Sequence, residues 1–524
     1  MKTNRIISKH KSTIAFLRVF PICIVMLFLL TNQSGFSSGF RLTEQSLNGT
    51  ALNSAFIAGA YGADSTYYNP ANMSLGQDNE NYEFEINGTL IFIAPFTFDT
   101  ENRDKGINVE GSGITGALAA GHYCGVNGKS QQTTGAQPNP NNVCGNATVS
   151  GHARATFQPV PKFFFKSRSF KLSPNLRANY GISFTTPSGL SMQWDGEGGG
   201  FLRDVSIAML EFNPVVSVAW RDFLAIGGGF RAIYTFGEFN NTLYVPFRQT
   251  VSLGVLGSVL SYGTTKVEQT SDASAWGFGY NLAATIKPFA LFDSEAYNSI
   301  KDLSIAVTYR SNVHLDMNGK LSAKSYVFQG KGITLVEGYI GMDAHLTLGA
   351  DVPPILNVAI AKDFGRQRVE FVYERTFWGS AQIFEFTYAN QIFDKSNLTG
   401  SQTALGQINP EEMLAGADYS AVAYGNGWKD SNAYRLGYTY FGKSYKVMGS
   451  LAYDETPAPQ GQFGIPDANA YMFGLGYRKK LFDDKLDIGI AYSLALKDNR
   501  KSFIVSRDGF GQLHLLTIGA KLLW

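Results

Sequence analysis

Beyond residue 30 the chain has no apolar run approaching the roughly 20 residues that a membrane-crossing helix needs, which excludes a helical membrane protein. Charge is scarce as well. Asp, Glu, Lys and Arg make up 16% of the 524 residues, below the ~25% usual in soluble domains, and the formal net charge is +2. That balance gives no bulk electrostatic case for nucleic acid or an acidic partner. The six histidines are scattered without His-Glu-x-x-His spacing, and the one Gly-x-Ser-x-Gly match, Gly35–Gly39, is not on a strand-to-helix turn. The glycine spacing Gly111–Gly116 lacks the strand and helix that a dinucleotide site needs. The expectation is no enzyme, no cofactor and no metal site.

Cysteine is nearly absent. Cys23 falls in the N-terminal targeting segment, leaving Cys124 and Cys144 in a polar stretch, where an even pair in an oxidising compartment points to a disulfide. The targeting segment has a basic start (Lys2, Arg5, Lys9, Lys11, Arg18), an apolar core Val19–Leu30 and small residues at Ser34–Gly39. About twelve apolar residues broken by Pro21 are too few for an anchor, so a signal peptide over residues 1–38 is expected, with cleavage between Ser37 and Phe40.

Aromatics are abundant at 14%, with 56 glycines. From Tyr82 onward bulky apolar residues recur at every second position. Leu486, Ile488, Ile490, Tyr492 and Leu494 share one face, while Asp487, Gly489, Ala491 and Ser493 share the other. Ile490 is thereby assigned to lipid and Ala491 to a lumen. About fourteen strands follow, including 177–194, 343–361, 367–390 and a closing strand 512–524 that ends in Trp524. Long connections (96–156, 238–273, 315–342, 391–427) alternate with tight ones such as Arg221-Asp222 and Gly442–Ser444. Long loops on one rim and short turns on the other fit a transmembrane antiparallel β-barrel in an outer membrane, whose first and last strands must pair.

Gly39–Gly76 does not alternate. Its small residues (Ala51, Ser54, Ala55, Ala58, Gly59, Ala60) and turn residues (Asn69, Pro70, Asn72) suit short helices and turns, so residues 39–80 are expected to form a hatch inside a barrel spanning 81–524. Within strand 177–194, Pro187 lacks an N–H and Gly189 follows it, which predicts a kink at Pro187-Ser188-Gly189. The stretches Tyr244–Tyr262 and Ser325–Met342 are more apolar than exposed loops should be, which marks either contact with greasy molecules or self-packing. Lys429, Asp430 and Asp454 are read as rim or lumen hydrogen-bonding groups.

The mature start Gly39–Ser46, the segment Tyr67-Tyr68-Asn69-Pro70-Ala71-Asn72-Met73, and Tyr309-Arg310-Ser311, Trp428-Lys429-Asp430, Leu451–Asp454 with Pro457 and Ile465-Pro466-Asp467 occur in an order that resembles the FadL-type outer-membrane transporters of long-chain fatty acids, relatives of which take up aromatic hydrocarbons such as toluene. The resemblance covers essentially the whole mature chain. It implies a fourteen-stranded barrel, a hatch motif at Asn69, Pro70 and Ala71, and passive lateral uptake along a path touching Phe40 and leaving through the wall at Pro187, Ser188 and Gly189. Implied partners are fatty acids or hydrocarbons, outer-membrane lipid and lipopolysaccharide, and the barrel-assembly machinery, for a monomer. An aromatic-hydrocarbon channel stays open as the alternative, as does a general porin or structural barrel. Trp524 stands where that family usually ends in phenylalanine, and no basic residue for a ligand carboxylate can be aligned.

Overall fold

The computed structural model describes residues 41–75, 80–101, 148–195, 203–252, 258–292, 300–326, 336–381, 385–400, 428–458, 467–498, 504–508 and 511–524. Its strands are β1 (Glu83–Ile93), β2 (Phe96–Glu101), β3 (Thr148–Ala153), β4 (Thr156–Lys166), β5 (Phe170–Ser173), β6 (Leu176–Asp195), β7 (Asp204–Trp220) and β8 (Leu224–Ser252). They continue as β9 (Ser258–Ile286), β10 (Leu303–Arg310), β11 (Val313–Tyr326), β12 (Val336–Val352), β13 (Ile355–Phe364), β14 (Gln367–Thr376) and β15 (Glu385–Asp394). The last are β16 (Leu398–Gly400), β17 (Ser431–Phe441), β18 (Tyr445–Asp454), β19 (Ala470–Leu481), β20 (Leu486–Lys497), β21 (Ile504–Asp508) and β22 (Gln512–Leu523).

Fourteen of them close a barrel. The antiparallel circuit runs β1, β4, β6, β7, β8, β9, β10, β13, β14, β17, β18, β19, β20, β22 and back to β1, where Phe84 stands opposite Leu522. Closure pairs the strand edges except along part of β4 and β6, which matters in lipid because an unpaired backbone group there has no water to bond. Alternation sets the faces as expected: Ile488, Ile490 and Tyr492 are exposed on the outside, while Asp487, Ala491 and Ser493 are buried inside. At the end carrying the short turns, Tyr82 stacks on Phe165 and Trp524 at ring separations of 6.1 and 5.9 Å, an aromatic girdle at the interface.

Parts of several expected loops are strands. Residues 238–252 and 258–273 belong to β8 and β9, 315–326 and 336–342 belong to β11 and β12, and β2, β3 and β15 extend into 96–156 and 391–427. Along β9 the outward residues change from Tyr280, Phe278 and Trp276 to Ser274, Asp272, Thr270 and Glu268. The strand has left the lipid, so its outer face turns polar although the two-residue period continues. Two expected single strands are split: Pro353-Pro354 divides 343–361 into β12 and β13, and 367–390 breaks around the 3₁₀ turn Trp378–Ser380. At each break the chain leaves the barrel for a crown in which β11, β12 and β15 pair outside the circuit on one side, and β2, β3 and β21 on the other. The crown's interior is apolar, built from Trp194, Trp378, Trp428, Met192, Met317 and Met342 among others.

Residues 41–75 fill the lumen and are buried almost throughout. They contain α1 (Leu47–Ala51), α2 (Ser65–Tyr68) and a 3₁₀ turn, Pro70–Ser74. Helices this short do not persist alone; caps and the wall hold them. The Ser46 hydroxyl accepts the Gly49 N–H at 3.0 Å. Glycines on the inner wall make room: a Cβ on Gly227 would lie 2.6 Å from Ala71 N and 2.7 Å from the Pro70 carbonyl carbon, and one on Gly437 would lie 2.9 Å from the Ala55 oxygen.

Candidate functional site

The barrel circuit is incomplete at one place. β4 and β6 pair only from Phe163–Lys166 against Gly181–Phe184, while farther out β3 meets β6 at Ala153 opposite Trp194. Between these contacts about eight residues of β6, 185–192, have no β4 partner, an opening roughly 26 Å long at strand rise. On the β4 side stand Pro159 and Pro161, opposite Leu90 and Gly88 of β1. The β1–β4 ladder is unbroken, so the two missing N–H groups fall on the side facing β6, where no ladder could form. On the β6 side the register with β7 slips between Thr185 and Ser188, around Pro187. Above the opening Arg154 N–H donates to the Gln193 carbonyl at 2.9 Å, and its guanidinium pairs with Asp195 at 2.5 and 3.0 Å.

The first described residues of the hatch occupy this window. Ser188 pairs with Met209 of β7 on one edge and forms an antiparallel bridge to Arg41 on the other, so Arg41 stands in the place of β4. Leu42 N–H donates to the Pro187 carbonyl at 2.8 Å. The Gln45 carboxamide donates to the Thr186 carbonyl at 2.7 Å and accepts the Thr186 N–H at 3.0 Å. Leu42 packs into an apolar pocket with Ile91, Val160, Met472, Leu513 and Leu515. Beside it, Lys162 Nζ donates to the Glu44 carbonyl at 2.7 Å and to the Thr89 hydroxyl at 3.0 Å; among the described residues no carboxylate pairs with it. Several other lumen cations are paired, Arg41 with Glu374, Arg231 and Arg310 with Glu211, and Arg435 with Glu374 and Asp454, whereas Lys446 donates to a neutral oxygen, Asn48 Oδ1, at 2.8 Å.

The hatch body is tied to the wall by charge-assisted bonds. Glu370 on β14 accepts the N–H groups of Ile57, Ala58 and Gly59 at 2.6, 2.6 and 3.0 Å, and Arg368 donates to the Gly59 carbonyl at 2.9 Å. Asn69 caps the 3₁₀ turn through Ala71 N–H at 3.2 Å, and its amide donates to Ile57 O and to Thr285 of the wall at 3.0 and 2.9 Å. Pro70 and Ala71 lie against Gly227.

Of the residues singled out from sequence, Pro187, Ser188 and Gly189 lie at the window edge, and Asn69, Pro70 and Ala71 lie in the hatch facing β8 and β9. Phe40, Cys124 and Cys144 fall outside the described residues. Asp430 accepts from Arg375 at 2.8 Å and from Gly379 N–H at 3.0 Å, and Asp454 pairs with Arg435 inside the lumen. Sequence reading passed over Pro159 and Pro161, although a Pro-x-Pro in a strand was a visible signal of a dead edge. Gln45, Lys162 and Glu370 carried no such signal, because their partners are more than a hundred residues away.

The sequence profile of the family described as outer membrane protein transport protein (OMPP1/FadL/TodX) matches residues 28–513. Among solved structures, a Pseudomonas aeruginosa FadL homologue is 15% identical with a TM-score of 0.60, covering 92% of this chain and 99% of that one. The CymD monoaromatic hydrocarbon channel is 12% identical at TM-score 0.53, covering 93% and 99%. The Pseudomonas putida toluene transporter TodX is 12% identical at TM-score 0.51, covering 94% and 99%. At these identities the likeness is one of fold. Among curated protein sequences none matches the chain.

Proposed function

Because the chain belongs to the OMPP1/FadL/TodX family of outer-membrane transport proteins, β-barrels that carry hydrophobic compounds, we propose that it takes up long-chain fatty acids passively and releases them sideways through the window between β4 and β6. The observation that carries this reading is the wall itself, in which Pro159, Pro161 and Pro187 remove ladder donors on both sides of an opening filled by the hatch's own first residues. A greasy molecule leaving there enters the bilayer without crossing water, and needs no coupled energy down a gradient. The apolar crown interior offers it a first resting place. Lys162, whose buried Nζ lies beside the apolar pocket of Leu42 with no carboxylate partner among the described residues, favours a ligand with a carboxylate head. The second reading is a neutral aromatic hydrocarbon, favoured by the apolar cluster in the crown and by the toluene transporter among the structural relatives. Residues 1–38 are proposed to be removed on export, leaving a monomeric carrier rather than an enzyme, inserted by the barrel-assembly machinery among lipopolysaccharide.

Uptake of radiolabelled oleate, toluene and a small sugar by proteoliposomes tests this, comparing the wild type with a variant whose Pro187–Gly189 is rebuilt as regular strand. Oleate passage lost on rebuilding supports the lateral route; toluene passage alone shifts the substrate class. Sugar passage insensitive to rebuilding indicates a general porin and overturns the proposal.

A further inference from the structure

Thr186 is the one residue of the window edge whose backbone N–H and carbonyl are both answered by a single side chain. In an antiparallel strand the N–H and C=O of one residue point to the same side, and a partner strand answers them with one donor and one acceptor. At Thr186 the β7 register has slipped and β4 is absent. The Gln45 carboxamide supplies both groups, at 2.7 and 3.0 Å, and also donates to Leu42 O at 2.8 Å, which fixes the turn of its own arm. Gln45 is fully buried and Thr186 nearly so. A primary amide is the side chain that carries donor and acceptor side by side; Glu lacks the donor, Leu lacks both, and Asn is one methylene short.

We propose that Gln45 is the latch of the lateral window: its carboxamide stands in for the missing strand, and ligand leaves only when the Gln45–Thr186 pair opens. Arg41, whose backbone bridges to Ser188, is anchored by a buried ion pair with Glu374, and Lys162 holds the Glu44 carbonyl, so charge-assisted bonds flank Gln45 just as they hold the hatch body at Glu370 and Arg368. The bonds that Leu42 and Gln45 make to the window edge itself are neutral. Charge-assisted bonds are about twice as strong as neutral ones, so the Leu42 and Gln45 contacts open first while the arm stays tethered to the wall. Gln45 touches the wall and positions Thr186; it is a positioning residue. The inference rests on the lateral reading above.

Two variants test it. In Gln45→Ala, amide exchange in a peptide containing Thr186 is expected to rise roughly tenfold or more, the equivalent of one lost buried hydrogen bond. Oleate or toluene uptake should gain several-fold in maximal rate at unchanged KM, a split that a merely destabilised barrel does not give. Wild-type exchange at Thr186 overturns the proposal. The second variant joins Arg41→Cys to Ser188→Cys with Cys124 and Cys144 changed to Ser; a bridged antiparallel pair lies within disulfide reach. Oxidation should block uptake and reduction restore it in the same protein, which decides the matter should Gln45→Ala fail to fold. Equal transport by the two redox forms also overturns it. A wild type that carries neither oleate nor toluene refutes the transport reading alone, and the exchange at Thr186 still judges the latch.

Discussion

A carboxylate oxygen of Glu370, on the barrel wall, accepts the backbone N–H of Ile57, in the hatch, at 2.6 Å. The same carboxylate takes the next two N–H groups, so three consecutive donors of the plug end on one wall side chain. Glu370→Ala leaves all three buried and unanswered, each costing about 1–3 kcal/mol. The hatch should loosen by about 3 kcal/mol or more while the barrel stays closed. Hydrogen exchange at residues 57–59 reads this, with Glu370→Gln, which keeps one acceptor oxygen, falling between. Unchanged protection in Glu370→Ala would show the clamp to be dispensable.

Gly227 gives the hatch its seat on β8. A valine there would push its Cβ into the Pro70–Ala71 backbone, and overpacking of this kind costs about 1–3 kcal/mol. Because the displaced element is the plug, the expected outcome is new leakage of a small sugar through vesicles holding Gly227→Val, with normal heat-modifiable mobility of the barrel. A tight, non-leaking variant would place the seal elsewhere.

Neighbouring residues on β20 separate lipid from lumen. Ile490 is 48% exposed and Ala491 is 2% exposed. Ile490→Arg should cost about 2–4 kcal/mol of folding into lipid vesicles if it sits near the midplane. Ala491→Arg faces the lumen, but that lumen is filled by the hatch residues Leu47 and Ala51. It should therefore spare the barrel and expel the plug, read as sugar leakage. Identical folding losses in the two variants would refute the facing.

In the crown, Trp378 and Trp428 meet edge to face at 4.8 Å, both buried. Trp378→Ala should cost about 3–5 kcal/mol locally and weaken capture of apolar ligand. Loss of near-ultraviolet circular dichroism and of ligand-induced tryptophan quenching would register it; retained quenching would place capture outside this cluster.

Much of the fold was legible because a strand's period of two is local. Leu486–Leu494 shows its faces without reference to any neighbour, and the shortage of charge with no long apolar run left only a barrel for an exported chain in a membrane. Pro187 announced a break for the same local reason: a residue without an N–H cannot donate. Where the outer face turned polar, as at Ser274 and Asp272 of β9, the alternation was still present but no longer marked by grease, so the strand read as loop. What only the tertiary structure decided is who answers whom across the chain. Gln45 meets Thr186, Lys162 meets the Glu44 carbonyl and Ile57 meets Glu370 over separations of more than a hundred residues. Those pairings follow from closing fourteen strands around a plug, which sets lumen side chains such as Lys162 and Glu370 against hatch backbone that no sequence neighbour could reach.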